Sequence, residues 1–108
     1  MTNKSKVRGT RWESGVVAFL QEHGYPHAER RALAGAQDKG DILLPGLMIE
    51  CKDEQKITLS VYADEVAAQT RNCPPGTIGV AWIKRRGKGV DKSYILMDPE
   101  TFLDLIDD

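Results

Sequence analysis

Asp41 and the triplet Glu50-Cys51-Lys52 put two carboxylates and an ammonium at the outer ends of an otherwise apolar stretch. It reads Gly40-Asp41-Ile42-Leu43-Leu44-Pro45-Gly46-Leu47-Met48-Ile49-Glu50-Cys51-Lys52. Brought together, such acids can hold a hard divalent cation, and the lysine can stabilise phosphate charge or help orient or deprotonate a cation-bound water. Folding alone gains little from setting these charges against a hydrophobic sheet.

The spacing predicts how they meet. Pro45-Gly46 is a turn signal between two apolar runs. If Leu44 pairs with Leu47, then Leu43 faces Met48, Ile42 faces Ile49 and Asp41 faces Glu50. A four-residue loop keeps this register and a three-residue loop breaks it; L-Pro-Gly is not the favoured two-residue hairpin turn. Strand side chains alternate between faces, so Ile42, Leu44, Leu47, Ile49 and Cys51 share an apolar face. Asp41, Leu43, Met48, Glu50 and Lys52 share the other. Like charges directly opposite each other destabilise a sheet by ~0.2–1 kcal/mol, which Mg²⁺ would relieve. The plainer reading is a charged cluster on a half-exposed sheet. The fully apolar opposite face, the convergence across a turn and the basic segments elsewhere all weigh against it.

Those basic segments are hidden by a net charge of only -1 in 108 residues. Residues 1–11 carry Lys4, Lys6, Arg8 and Arg11 with no acid, and residues 84–92 carry Lys84, Arg85, Arg86, Lys88 and Lys92 against Asp91. Either segment can bind a polyanion, or each can be a solvated loop or terminus. Acid gathers at the end in Asp98, Glu100, Asp104, Asp107 and Asp108. Cys51 and Cys73 have no metal-ligand spacing with His23 or His27, which argues against structural zinc. No signal peptide or membrane-length apolar run is present, so an intracellular, cytoplasmic protein is expected.

The elements that must position the site follow from periodicity and punctuation. One domain is expected, with residues 1–8 as a flexible basic arm and 9–108 as the folded unit. A first helix is predicted from about Arg11 to His23, with Trp12, Val16, Phe19 and Leu20 as its core face. Thr10 and Glu13 fit a capping box, and Gly24 fits a C-terminal cap. Residues His27 to Leu33 read as a strand or a short helix. After the hairpin, Thr58 or Ser60 caps a helix from about Val61 to Arg71, with Tyr62, Val66 and Gln69 on one side. Ile78 to Ile83 is apolar enough for a central strand covered on both faces. Ser93 to Met97 forms a last strand, and Asp98-Pro99 starts a helix whose Phe102, Leu103 and Ile106 are expected to face inward. The order is that of an α/β domain with a central mixed sheet flanked by helices.

Asp41 and Glu50-Cys51-Lys52 on a hairpin that follows a Glu13-bearing helix resemble the PD-(D/E)XK nuclease superfamily. In length and element order the chain is similar to archaeal-type and phage Holliday junction resolvases, from about Gly9 to Ile106. The resemblance implies a restriction-endonuclease-like core. It assigns Asp41 and Glu50 as metal-binding acids, Lys52 as the motif lysine and Glu13 as the acid from the first helix. Gln69 sits where some exonuclease branches place an active-site glutamine, although a solvated helix residue is the plainer reading. The proline of the family's name is Gly40 here.

The activity expected from this resemblance is Mg²⁺-dependent DNA cleavage, with Mn²⁺ as a substitute. The expected enzyme is a homodimeric junction-resolving endonuclease that leaves 5′-phosphate and 3′-hydroxyl ends. Metal would sit on Asp41, Glu50 and the Cys51 main-chain carbonyl, with Glu13 assisting. Lys4, Lys6, Arg8, Arg11, Arg30, Arg31, Lys84, Arg85, Arg86 and Lys88 are the candidate contacts to branched or double-stranded DNA. The alternatives are another nuclease of the superfamily (nicking, repair or restriction-type) and a catalytically silent DNA-binding module of the same fold.

Overall fold

Leu44 pairs with Leu47, Leu43 with Met48 and Ile42 with Ile49, so Pro45-Gly46 is a two-residue turn between β1 (Ile42–Leu44) and β2 (Leu47–Lys52). Proline at the first turn position and Gly46 at φ +77° at the second match a type II turn, which needs positive φ there. The Gly46 carbonyl then accepts the Ile78 N–H at 2.9 Å, which ties the turn to the start of β3 (Ile78–Ile83). The computed structural model describes residues 4–31 and 39–107.

Strands β2 and β3 are parallel, with Leu47 beside Ile78 and Lys52 beside Ile83. Parallel neighbours need a crossover, which α2 (Leu59–Thr70) supplies. Strand β4 (Tyr94–Leu96) follows a single 3₁₀ turn and pairs antiparallel with β3, giving the order β1-β2-β3-β4. Helices α1 (Lys4–Glu22) and α3 (Pro99–Ile106) complete, among the described residues, an α/β domain of three α-helices and a four-stranded mixed sheet. No helix among the described residues is long and apolar enough to cross a membrane.

Each sheet face has its own core. Trp12, Val16 and Leu20 of α1 pack with Ala28 on Ile42, Ile49 and Val80. Tyr62 and Val66 of α2 pack on Met48, Ala81 and Ile83 from the other side. Fully burying one such aliphatic side chain contributes roughly 1.5–3 kcal/mol. Both layers rest on the alternation read from the hairpin, but the face that carries Glu50 is covered by a helix and not half-exposed.

Three expectations are corrected. Helix α1 begins at Lys4, so residues 4–8 are its first turns and Thr10 lies inside it, not at a cap. No proline interrupts that stretch, and one internal glycine costs only about 1 kcal/mol. The segment 27–33, read as a strand or a short helix, is neither among the described residues: it makes a single antiparallel bridge, Arg30 to Ile42; Glu29, Arg30 and Arg31 supply no apolar row to extend it. Residues 32 and 33 of that segment, and the loop residue Asp38, lie outside the described residues.

The third correction concerns α3. Asp98 caps it as expected, accepting the Thr101 N–H at 2.7 Å, with Pro99 in the first turn. Yet Phe102, Leu103, Leu105 and Ile106 are 49%, 56%, 52% and 60% exposed and do not face inward. Helices α1 and α2 supply the buried residues that pack on the two sheet faces, and α3 contributes none.

Candidate active site

Asp41 is held by its backbone before its side chain does anything. Its N–H donates to the Ile49 carbonyl at 3.0 Å, and its carbonyl accepts the Arg31 N–H at 2.7 Å. Arg31 Nε also donates to the Gly40 carbonyl at 2.8 Å. Gly40 itself has φ +84°, and a Cβ there would lie 2.3 Å from Met48 Sδ. Proline, locked near φ −65°, cannot adopt this backbone. Glycine at this position is therefore what lets the chain deliver Asp41 tight against β2.

The Asp41 carboxylate accepts the Cys51 N–H at 2.8 Å through Oδ2. It lies within hydrogen-bonding reach of two further acids, Glu13 from α1 and Glu50 from β2. Burial raises the Glu50 pKa to about 8, Asp41 adds to the rise, and Gln69 and Lys52 oppose it. Burial likewise raises Glu13 to about 7, with Asp41 adding and Arg30 opposing. Both lie beside Asp41 in a partly desolvated spot, so near neutral pH Glu13 and Glu50 retain protons that ordinary carboxylates would have lost.

Cations and one amide surround the acids. Arg30 Nη2 lies 3.1 Å from Glu13 Oε2. Lys52 Nζ is 3.7 Å from Glu50 Oε2, hydrogen-bonds Glu65 on α2 and stands 5.2 Å from the centre of the Tyr62 ring. Burial pulls the Lys52 pKa down, but Glu65, Glu50 and Glu54 together carry it above its ordinary value. Lys52 is thus a fixed cation at neutral pH, which suits charge stabilisation and does not suit proton abstraction. The Cys51 thiol is pushed up by burial and then by the acids' charges, so it stays protonated.

Gln69 corrects a prediction. Only 4% exposed, it is no solvated helix residue: its Nε2 donates to Glu50 Oε2 at 2.5 Å. Sequence reasoning missed Glu65 altogether, although it lies three residues after Tyr62 and four before Gln69, on the same face of α2.

The residues Glu13, Arg30, Arg31, Asp41, Glu50 and Lys52 line one cavity of about 390 Å³. Two clefts of about 510 and 530 Å³ are larger. The first is lined by a single acid, Asp98, and the second by none, so they offer volume without the convergent charges. Of the predicted DNA contacts, Arg30 and Arg31 reach the cavity, but each is engaged by a protein group there. Arg8 and Arg11 are exposed on α1 and Lys88 beyond β3. The side chains of Lys4 and Lys6 lie outside what is described. Lys84, Arg85 and Arg86 are held by other side chains, as set out below.

Among the described residues no group of three or more His, Cys, Asp or Glu is arranged as a ready-made metal cage. The acids meet in pairs through Asp41. Mg²⁺ is commonly held by one or two carboxylates and keeps several waters, so a paired, oxygen-only donor set fits it. It would also relieve the crowding that raises Glu13 and Glu50. The chain matches no family model, no curated protein and no solved structure.

Proposed function

We propose that the chain is a Mg²⁺-dependent, structure-selective DNA endonuclease of the junction-resolving kind. The observation that carries this reading is the convergence of Glu13, Asp41 and Glu50, from three separate elements, beside the fixed cation Lys52. A purely structural carboxylate cluster is destabilising, whereas a site for a divalent cation and a phosphodiester needs one. Bound Mg²⁺ would supply Lewis acidity, lowering the pKa of a water and neutralising the scissile phosphate. Asp41 and Glu50 would hold the ion with the Cys51 carbonyl, and Glu13 would assist. Lys52 would neutralise charge that develops on the phosphate in the transition state. Gln69 orients Glu50, and Glu65 orients Lys52.

Two cuts in a four-way junction need two such sites, which a two-fold homodimer provides. The unburied apolar face of α3 supports a second copy as its cover. Such a dimer would act on DNA in the cytoplasm. One observation favours a second reading: Gln69 bonded to Glu50 matches the glutamine that the resemblance associates with exonuclease branches, so another nuclease of the superfamily is the alternative. The intact acids and lysine argue against a silent binding module.

Incubating the purified protein with a synthetic four-way junction, a linear duplex and single strands, with Mg²⁺ or with chelator, decides among these. The junction should be cut preferentially and only with metal. Equal cutting of all three substrates points to the alternative nuclease. Binding with no metal-dependent cutting points to the silent module.

A further inference from the structure

Lys84 follows β3 at the end of the sheet where β2 finishes, and its N–H donates to the Lys52 carbonyl at 2.8 Å. The three consecutive cations that begin here are each held by a different element. Lys84 Nζ lies 5.9 Å from the centre of the Trp12 ring on α1, and the Arg85 guanidinium lies 5.8 Å from the Tyr94 ring on β4. Arg86 Nη2 lies 3.1 Å from Asp53 Oδ1, just past the end of β2.

The last contact differs in kind. The Asp53 side chain is 1% exposed, and neither of its oxygens has a hydrogen-bond partner among the described residues. Arg86, in contrast, keeps 44% of its side chain in solvent. A buried carboxylate without hydrogen bonds is costly, so its presence asks for a purpose. The contact it makes joins the residue directly after Lys52 to the middle of the basic segment. The Lys88 N–H closes the segment onto the Arg85 carbonyl at 3.1 Å.

We propose that Asp53 is a positioning residue. It tethers Arg86 and so holds Lys84–Lys88 as an ordered cationic surface for the phosphate backbone of a nucleic-acid strand leaving the acidic cavity. The proposal rests on the DNA reading above. A guanidinium carries five N–H donors, so Arg86 can keep one nitrogen on Asp53 and offer others to a phosphate. Lys84 and Arg85 lie over aromatic rings, and among the described residues neither forms an ion pair with an acid.

The test turns on sign. Counting charges alone, Asp53→Asn removes a negative charge beside a polyanion site and should tighten binding. A tether predicts the reverse. Binding of a fluorescent DNA duplex and a four-way junction is measured in chelator across a salt series, and amide exchange of the free protein is measured in parallel. Asp53→Asn should bind about tenfold more weakly, with the slope of log K against log[salt] shallower by about 1. The Lys88 amide should exchange at least ~10-fold faster while β3 amides stay protected. Arg86→Gln releases the segment from the other side and should speed the same amide. It decides the question if Asp53→Asn also exposes β3, because unchanged Lys88 exchange in Arg86→Gln overturns the tether. Equal or tighter DNA binding by folded Asp53→Asn overturns it as well, and leaves the DNA reading standing. Wild-type protein that binds neither DNA sinks both.

Discussion

Gln69 Nε2 stands 2.5 Å from Glu50 Oε2, a hydrogen bond between two side chains that water hardly reaches. It joins α2 to the acid of β2 and lowers a Glu50 pKa that burial and Asp41 drive up. Replacing Gln69 by Leu removes the donor while keeping the bulk. The loss should destabilise the protein by about 1–3 kcal/mol. It should also move the alkaline rise of cleavage to higher pH, because Glu50 would hold its proton longer. A cleavage profile with an unmoved midpoint would show that Glu50 does not depend on this bond.

Asp41→Asn is expected to abolish cleavage yet stabilise the fold. The amide oxygen can still accept the Cys51 N–H, and the charge that crowds Glu13 and Glu50 is gone. A gain of ~1 kcal/mol would raise the melting temperature by about 4–8 °C in a domain of this size. Thermal melts in chelator check it. A lower melting temperature would mean that Asp41 is stabilised by its neighbours and not crowded by them.

Stability without metal should fall as pH rises. Glu13 and Glu50 have folded-state pKa values of about 7 and about 8, both above the ordinary 4.5. The folded protein therefore holds more protons than the unfolded chain between those limits. The contribution is fully present below the ordinary pKa and is lost as pH passes through the raised values. Melting in chelator should drop between about pH 5 and about pH 9, most steeply at about pH 6, where both acids are protonated only in the folded state, and should level off as pH passes through the raised values. Millimolar Mg²⁺, competing with those protons, should flatten the curve. Identical curves with and without Mg²⁺ would count against a cation on these acids.

Lys52 and Glu65 should separate chemistry from stability. Lys52→Ala is expected to lose cleavage at least ~100-fold, the scale seen when a charge-stabilising group is removed from an active site, with junction binding retained. Glu65→Gln leaves the lysine in place but loosens its hold. Because Glu65 is 40% exposed, its pairing should contribute under about 1 kcal/mol to stability. Cleavage should nevertheless fall by roughly tenfold, as for a misplaced catalytic group. Single-turnover rates measured beside melting curves distinguish the two effects. A normal rate for Lys52→Ala would remove it from the mechanism.

The hairpin was readable because parity is strict: once Leu44 met Leu47, every partner out to Ile49 followed. The face of α2 was readable for the same reason, since Tyr62, Val66 and Gln69 recur at helical spacing and are its buried residues. What that spacing could not say is that Gln69 ends against an acid from another strand. Its polarity suggested solvent, and only the crossover from β2 to β3 brings α2 over Glu50. The start of α1 was hidden because Thr10 and Glu13 mimic a cap, while the five helical residues before Gly9 contain nothing that forbids helix. The apolar face of α3 was plain in sequence, but apolar spacing does not say whether the surface waiting for it belongs to the same chain. Glu65 was legible in principle from its place between Tyr62 and Gln69. Asp53 carried no signal, since burial of an acid just past a strand end depends on where a distant arginine folds back.

Asp41 touches an acid from each side of the sheet. Glu13 comes from the helix that seals one core, and Glu50 points toward the helix that seals the other. An ion held there would act as a rivet through both layers. Occupancy and rigidity would then rise together, and the half-domains would breathe most freely when the site is vacant.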